Sequence, residues 1–192
     1  MKIEIRFMRD EDLRQIVSIE ESWDYLSKWG EEGYRAVLRE GRIYASLVAE
    51  DMEAPMSPEN PAQRAETGSI NATPLQPPRT PNEVIVESKD KCLIVGFAIL
   101  AFLIDHCELC NLVVRPSYLS RKVGYLLLQQ CFEAARQSGV ERMFLEVRQS
   151  NRRAIDFYQR NKFRIASERK NYYRNPSEHA WVMERRLESI RS

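Results

Sequence analysis

Apolar residues along this chain recur in two rhythms. Residues 3–9 alternate, with Ile3, Ile5 and Phe7 on one side of a short strand. Residues 92–104 and 108–115 are apolar on nearly consecutive positions, as strands covered on both faces should be, and 143–147 is a third such run. Elsewhere the spacing turns helical. Leu13, Ile16 and Val17 follow Asp10, Glu11 and Asp12, whose charge suits a first helical turn. A second helix over 31–40 carries Tyr34, Val37 and Leu38 and stops at Gly41, after which 42–50 resumes as a strand. Residues 123–138 form an amphipathic helix with Val123, Leu126, Leu127, Cys131, Ala134 and Ala135 in its stripe and Gly139 at its end. Ser150 and Asn151 cap a further helix through Ala154, Ile155, Phe157 and Tyr158. Short strands are expected at 84–87, 163–172 and 179–187. The order βααβ…ββαβαββ is that of a mixed α/β domain, without an internal repeat.

Composition breaks this pattern once. Seven of the nine prolines fall between Pro55 and Pro81, mixed with Asn, Thr, Ser and Glu, so 51–82 reads as an insertion too polar to offset its ordering entropy. With 192 residues, the chain is otherwise a single domain with room for a full core. Its longest apolar run is 13 residues, short of the roughly 20 that span a bilayer. The first residues alternate charge with Ile and hold no signal-like apolar stretch. A net charge of +1 gives no bulk case for a nucleic-acid or membrane partner. The expectation is a cytoplasmic protein, monomeric or weakly dimeric. Charge is nonetheless uneven, with 8 Lys/Arg against 14 Asp/Glu in residues 1–60, and 13 against 7 in 141–192. That asymmetry suits a polyanionic ligand on one side and a cationic one on the other, and equally two solvated faces.

Four cysteines are too few and too irregular for a disulfide framework. Cys107 and Cys110 form a C-x-x-C, but within a strand they point to opposite faces and no second Cys/His pair follows, so they read as free thiols and no metal is expected. Three segments carry chemistry. Leu112-Val113-Val114-Arg115-Pro116 leads through a loop into a helix N-terminus, where free amides and the helix dipole favour phosphate. Glu146 lies inside an apolar strand, which is costly unless the carboxylate is partnered. It is a general base shifted by burial, one half of an ion pair with Arg148, or exposed at the strand end. Tyr158 lies on the same helical face as Ile155 and is either core with a wet hydroxyl or a general acid.

Taken together, Val114-Arg115-Pro116, the glycine loop, Leu145-Glu146-Val147-Arg148 with Ser150-Asn151, then Ala154-Ile155, Tyr158 and Phe163 resemble the GNAT acetyltransferases. Arg169-Lys170-Asn171-Tyr172-Tyr173, with Ala180 and Met183 beyond, narrows the resemblance to the RimI-like branch, which acetylates the N-terminal alanine of a small-subunit ribosomal protein. Residues 29–38 are similar to that branch's acceptor-side helix.

The resemblance implies a GNAT fold: a mostly antiparallel mixed sheet of about seven strands with a parallel splayed pair, flanked by four helices. It implies acetyl-CoA as co-substrate and a protein N-terminus as acceptor. Leu112, Val113 and Val114 would pair with the pantetheine, and Asn151 would hold that arm. The loop Leu119, Ser120, Arg121, Lys122, Val123 and Gly124 would take the pyrophosphate, with Glu146 as general base and Tyr158 as general acid. Three positions depart from the family pattern: Leu119, where Gln or Arg usually opens the phosphate loop, and Lys122 and Lys162, where glycine is usual. Lys122 would either obstruct the pyrophosphate or bind it through its ammonium. Lys162 would cost about 1–2 kcal/mol if its backbone is left-handed. A peptide or lysine acetyltransferase of other specificity, and a catalytically weak domain that binds CoA or a partner, are the remaining readings.

Overall fold

The computed structural model describes residues 1–24, 26–55 and 92–187. In chain order the elements are β1 (Ile3–Phe7), α1 (Leu13–Glu21), α2 (Gly30–Arg39), β2 (Tyr44–Pro55), β3 (Cys92–Phe102), β4 (Cys107–Val114), α3 (Val123–Gln137), β5 (Arg142–Arg148), α4 (Arg152–Arg160), β6 (Arg164–Arg174) and β7 (Ser177–Arg186). They build a seven-stranded sheet in the order β1-β2-β3-β4-β5-β7-β6. Every neighbouring pair is antiparallel except β4 and β5.

Two cores lie on opposite faces of this sheet. Val123, Leu127, Leu128, Cys131, Phe132 and Ala135 of α3 join Ile155 and Tyr158 of α4 on one face. Leu13, Ile16 and Ile19 of α1 join Tyr34 and Val37 of α2 on the other. β3 is buried along most of its length because it is covered from both sides. Cys107 packs into the first core and Cys110 against the second, so the two thiols are separated by the sheet itself.

Several expectations are corrected. Leu126 is exposed and Leu128 buried, because three consecutive leucines leave the helical phase ambiguous until α3 is seated. Phe7 is exposed although Ile3 and Ile5 pack inward. β3 ends at Phe102, leaving Ile104 fully exposed beyond it. β2 continues to Pro55, so residues 51–55, expected to open the insertion, belong to the strand. The Met52 amide bonds the Lys2 carbonyl, and the buried Asp51 carboxylate accepts from the Tyr118 hydroxyl at 3.0 Å and the Glu53 amide at 3.1 Å. The rest of the insertion, 56–82, and the strand expected at 84–87 lie outside the described residues.

Two buried carboxylates hold the α1–α2 side. Asp12 takes both terminal nitrogens of Arg6, at 2.7 and 2.8 Å, and the Arg9 amide at 2.7 Å. Glu20 accepts from the Trp29 and Gly30 amides and from the Tyr34 hydroxyl at 2.6 Å, satisfying donors that the start of α2 would otherwise orphan.

Candidate active site

β4 and β5 pair only at their beginnings, Cys107 with Met143 and Glu108 with Phe144. Further along, β4 remains paired with β3 and β5 with β7, so the two strands part. A bulge at Cys110, where Ile99 faces Asn111 but Leu100 faces Leu109, turns β4 out of line at that point. The Asn111 side-chain nitrogen, in this parted stretch, is buried with no hydrogen-bond partner among the described residues.

A cleft of about 760 Å³ opens along β4, the loop after it and α4. Leu112, Val113, Val114, Leu119, Ser120, Lys122, Val123, Gly124 and Asn151 all line it, as does Tyr158. The loop turns through left-handed backbone at Ser120 (φ 63°) and at Lys122 (φ 64°), which immediately precedes α3. Gly124 leaves the α3 N-terminus close to its neighbours: a Cβ there would stand 3.6 Å from Val114, 3.7 Å from Leu112 and 3.8 Å from Phe157. Asn151 is the N-cap of α4, its Oδ1 accepting from the Ala154 amide at 3.1 Å. The charged residues lining the cleft are Lys122, Arg153 and Arg160, with no carboxylate among the described lining residues. An amide-rich helix start beside three cations is suited to a polyphosphate.

The Arg121 side chain does not line the cleft. Its guanidinium lies 5.0 Å over the Tyr118 ring. Glu146 does not line it either, and stands on the other face of β5 from Leu145 and Val147, which belong to the α3–α4 core. The alternative of an ion pair with Arg148 gives way to a different one: Arg169 reaches the Glu146 carboxylate at 3.0 Å. Arg148 instead bonds Glu178 at 3.3 Å and the Asn175 and Pro176 carbonyls, and stacks 4.1 Å over Tyr173. Burial raises the Glu146 carboxyl above its ordinary pKa and Arg169 works against the rise, while Glu108 adds to it. Burial likewise pushes the Tyr158 phenol up.

Composition and spacing pass over several residues that belong here. Tyr173, whose phenol burial lifts to about 12, lies under the Arg148 guanidinium and is near enough to Tyr158 and Glu146 to act on both electrostatically. Trp23 and Leu26 close the cleft from the turn after α1, Trp23 donating to the Val114 carbonyl at 3.1 Å. Arg153 and Arg160 carried a readable signal, two cations two and nine residues beyond the cap Asn151, on the helix it opens. Nothing in the sequence points to Trp23, whose partner is 91 residues away.

Residues 47–163, more than half of the chain, match the model of the acetyltransferase (GNAT) family. The chain belongs to the GNAT acetyltransferases. A ribosomal protein bS18-alanine N-acetyltransferase from Haemophilus influenzae is 39% identical to it over 93 residues, 47% of this chain and 63% of that protein. The Escherichia coli enzyme of the same name is 36% identical over 80 residues, 42% of this chain and 54% of that protein. The chain thus matches between about half and two thirds of the length of these GNAT relatives. The crystal structure of the ribosomal-protein-S18-alanine N-acetyltransferase from Escherichia coli superposes with a TM-score of 0.70 at 22% identity, covering 100% of this chain and 97% of that one, which shows the shared GNAT fold. Among the described residues no helix is long and apolar enough to cross a membrane.

Proposed function

We propose that this chain is an acetyl-CoA-dependent N-acetyltransferase whose acceptor is a protein N-terminal amine, in the manner of the bS18-alanine enzymes it resembles. The observation that carries this reading is the cleft: apolar along the parted edge of β4, cationic at its mouth, and ending at a buried phenol. Acetyl-CoA is an apolar-and-amide arm carrying phosphates at one end and a thioester at the other, and a cleft of that polarity fits it. The PaiA N-acetyltransferase of Thermoplasma acidophilum, of the same fold with a TM-score of 0.65, has been solved in complex with coenzyme A.

Leu112, Val113 and Val114 would hold the arm through their backbone, with Asn151 beside it. The amides from Leu119 to Gly124 would take the pyrophosphate, and the Lys122 ammonium would add a charged contact. Bound there, acetyl-CoA supplies an activated carbonyl. Glu146, on the proposed acceptor side of the parting, would take a proton from the incoming ammonium, directly or through water, so that the neutral amine attacks the thioester carbonyl. Tyr158 would give its proton to the departing thiolate, and amides of the parted strand would steady the oxyanion. A terminal amine has a pKa of about 7.7–8.0 against about 10.4 for lysine, so a shifted carboxylate suffices for the former and is a weak base for the latter. This chemistry and the names of the relatives support a terminal amine as acceptor, and a ribosomal protein N-terminus is the proposed partner.

Mass spectrometry of two peptides incubated with acetyl-CoA tests the reading. One begins with alanine; the other has a blocked terminus and a single lysine. Acetylation of the first well above the second is expected. Preference for lysine would overturn the acceptor assignment, and no acetylation of either, with coenzyme A failing to raise Tm, would overturn the activity.

A further inference from the structure

Strand register brings Arg169 to Glu146. Glu146 of β5 stands opposite Val182 of β7, and Val182 opposite Ser167 of β6. Arg169, two residues further along β6, stands opposite Ala180, the residue that also faces Arg148. Its guanidinium meets Glu146 at 3.0 Å and lies 5.5 Å over the Tyr172 ring. The carboxylate side chain is 19% exposed but the arginine is 51% exposed, so one partner is held in the fold and the other can leave into water.

Among the described residues, the other titratable groups that act on Glu146 are Glu108 and Cys110 from β4, and Tyr172 and Tyr173 from β6. None of these is a cation. Arg148, on Glu146's own strand, is engaged by Glu178 from β7 and by the carbonyls of the β6–β7 turn.

We infer that Arg169 is a positioning residue for acetyl transfer: it holds Glu146 as an aimed carboxylate and yields its place to the incoming acceptor amine. This rests on the reading of Glu146 as the base. Without Arg169, burial and Glu108, which both favour the protonated form, are opposed only by a backbone hydrogen bond, the weakest of the influences on this carboxyl. A base works only when deprotonated, so the acid limb of the pH–rate profile moves to higher pH when Arg169 is removed. The loss is therefore large at low pH and small on the plateau.

The test is kcat/KM against pH, with an alanine-starting peptide and saturating acetyl-CoA, for the wild type, Arg169→Gln, Arg169→Lys and Glu146→Gln. Arg169→Gln should move the acid limb up by about one pH unit, costing about tenfold below it and under about twofold on the plateau. Arg169→Lys, which keeps the charge but not the planar fork, should return the limb most of the way. An unmoved limb, or an equal loss at every pH, overturns the inference while leaving the base assignment standing. A Glu146→Gln protein of wild-type rate overturns the base assignment itself.

Discussion

The two sides of the β4–β5 parting are made of unlike material. On the proposed cofactor side, Val123, Leu127, Leu128 and Cys131 of α3 are buried in the core, and a Cβ at Gly96 of β3 would press on the Val113 carbonyl, Leu127 and Val123. On the proposed acceptor side, β6 is an edge strand exposed along almost its whole length, paired in the sheet with β7 alone. Side chains add the half-exposed Arg169 on Glu146, Gln149 donating to Glu168 at 2.7 Å, and Arg148 over Tyr173. Packing presets the first surface. A few charges and hydrogen bonds set the second. Substitutions on the cofactor side should therefore move stability and acetyl-CoA affinity together, whereas those on the acceptor side should move rate while the fold stands.

Glu146→Gln is the strongest probe of that division. Losing a general base costs typically 10²–10⁴-fold, so acetylation of an alanine-starting peptide should fall by about that factor. The Arg169 left behind is half exposed and readily hydrated, so urea unfolding should shift by less than about 1 kcal/mol. Stabilisation by acetyl-CoA in a thermal melt should persist, because the carboxylate does not line the cleft. Loss of that stabilisation would erase the distinction between the two sides.

Gly96→Ala tests the opposite half. The added Cβ would stand 2.8 Å from the Val113 carbonyl oxygen, with Leu127 at 3.2 Å and Val123 at 3.3 Å. A side chain can turn away from such an approach, but the backbone of β4 must move. A loss of about 1–3 kcal/mol in urea unfolding is expected, with a raised KM for acetyl-CoA, since Val113 and Val114 line the cleft. An unchanged stability would mean that β4 is far less constrained than its burial implies.

This contrast also explains what could be read before the fold was known. The buried side was legible because its information is local: periodicity marks α3 and α4, continuous apolar runs mark β3, β4 and β5, and the cleft-lining loop lies within one stretch of chain. Leu126 misled only because Leu127 and Leu128 offer equal choices of phase. The exposed side was not legible in the same way. Which arginine meets Glu146 depends on the registers of β5 on β7 and β7 on β6, and Arg148, nearest in sequence, is drawn off by Glu178 and the turn carbonyls. The extension of β2 through 51–55 was hidden by its resemblance to the Pro-rich stretch that follows, although Asp51 is anchored by a tyrosine 67 residues away.

The two lysines at glycine positions sharpen the comparison further. Lys122 and Lys162 both adopt left-handed backbone, with φ of 64° and 65°, so each pays about 1 kcal/mol that glycine would recover. Only Lys122 lines the cleft. Lys122→Gly should therefore raise stability and, if the ammonium binds phosphate as proposed, also raise the KM for acetyl-CoA by about tenfold, the worth of one charge-assisted hydrogen bond. A lower KM would show instead that the side chain obstructs the cofactor.

Lys162→Gly should show the smallest effect. The residue ends α4, its amide bonding the Gln159 carbonyl at 2.9 Å while the Phe163 amide bonds the Tyr158 carbonyl at 3.0 Å. Those bonds use backbone alone and survive the substitution, and the lysine side chain is exposed. Glycine should add about 1 kcal/mol in urea unfolding or less, because it also loosens the unfolded chain. The KM for acetyl-CoA and kcat should both stay at wild-type values. A KM that rose as much in Lys162→Gly as in Lys122→Gly would trace both effects to backbone freedom transmitted through α4 to Tyr158, and would take the phosphate contact away from Lys122.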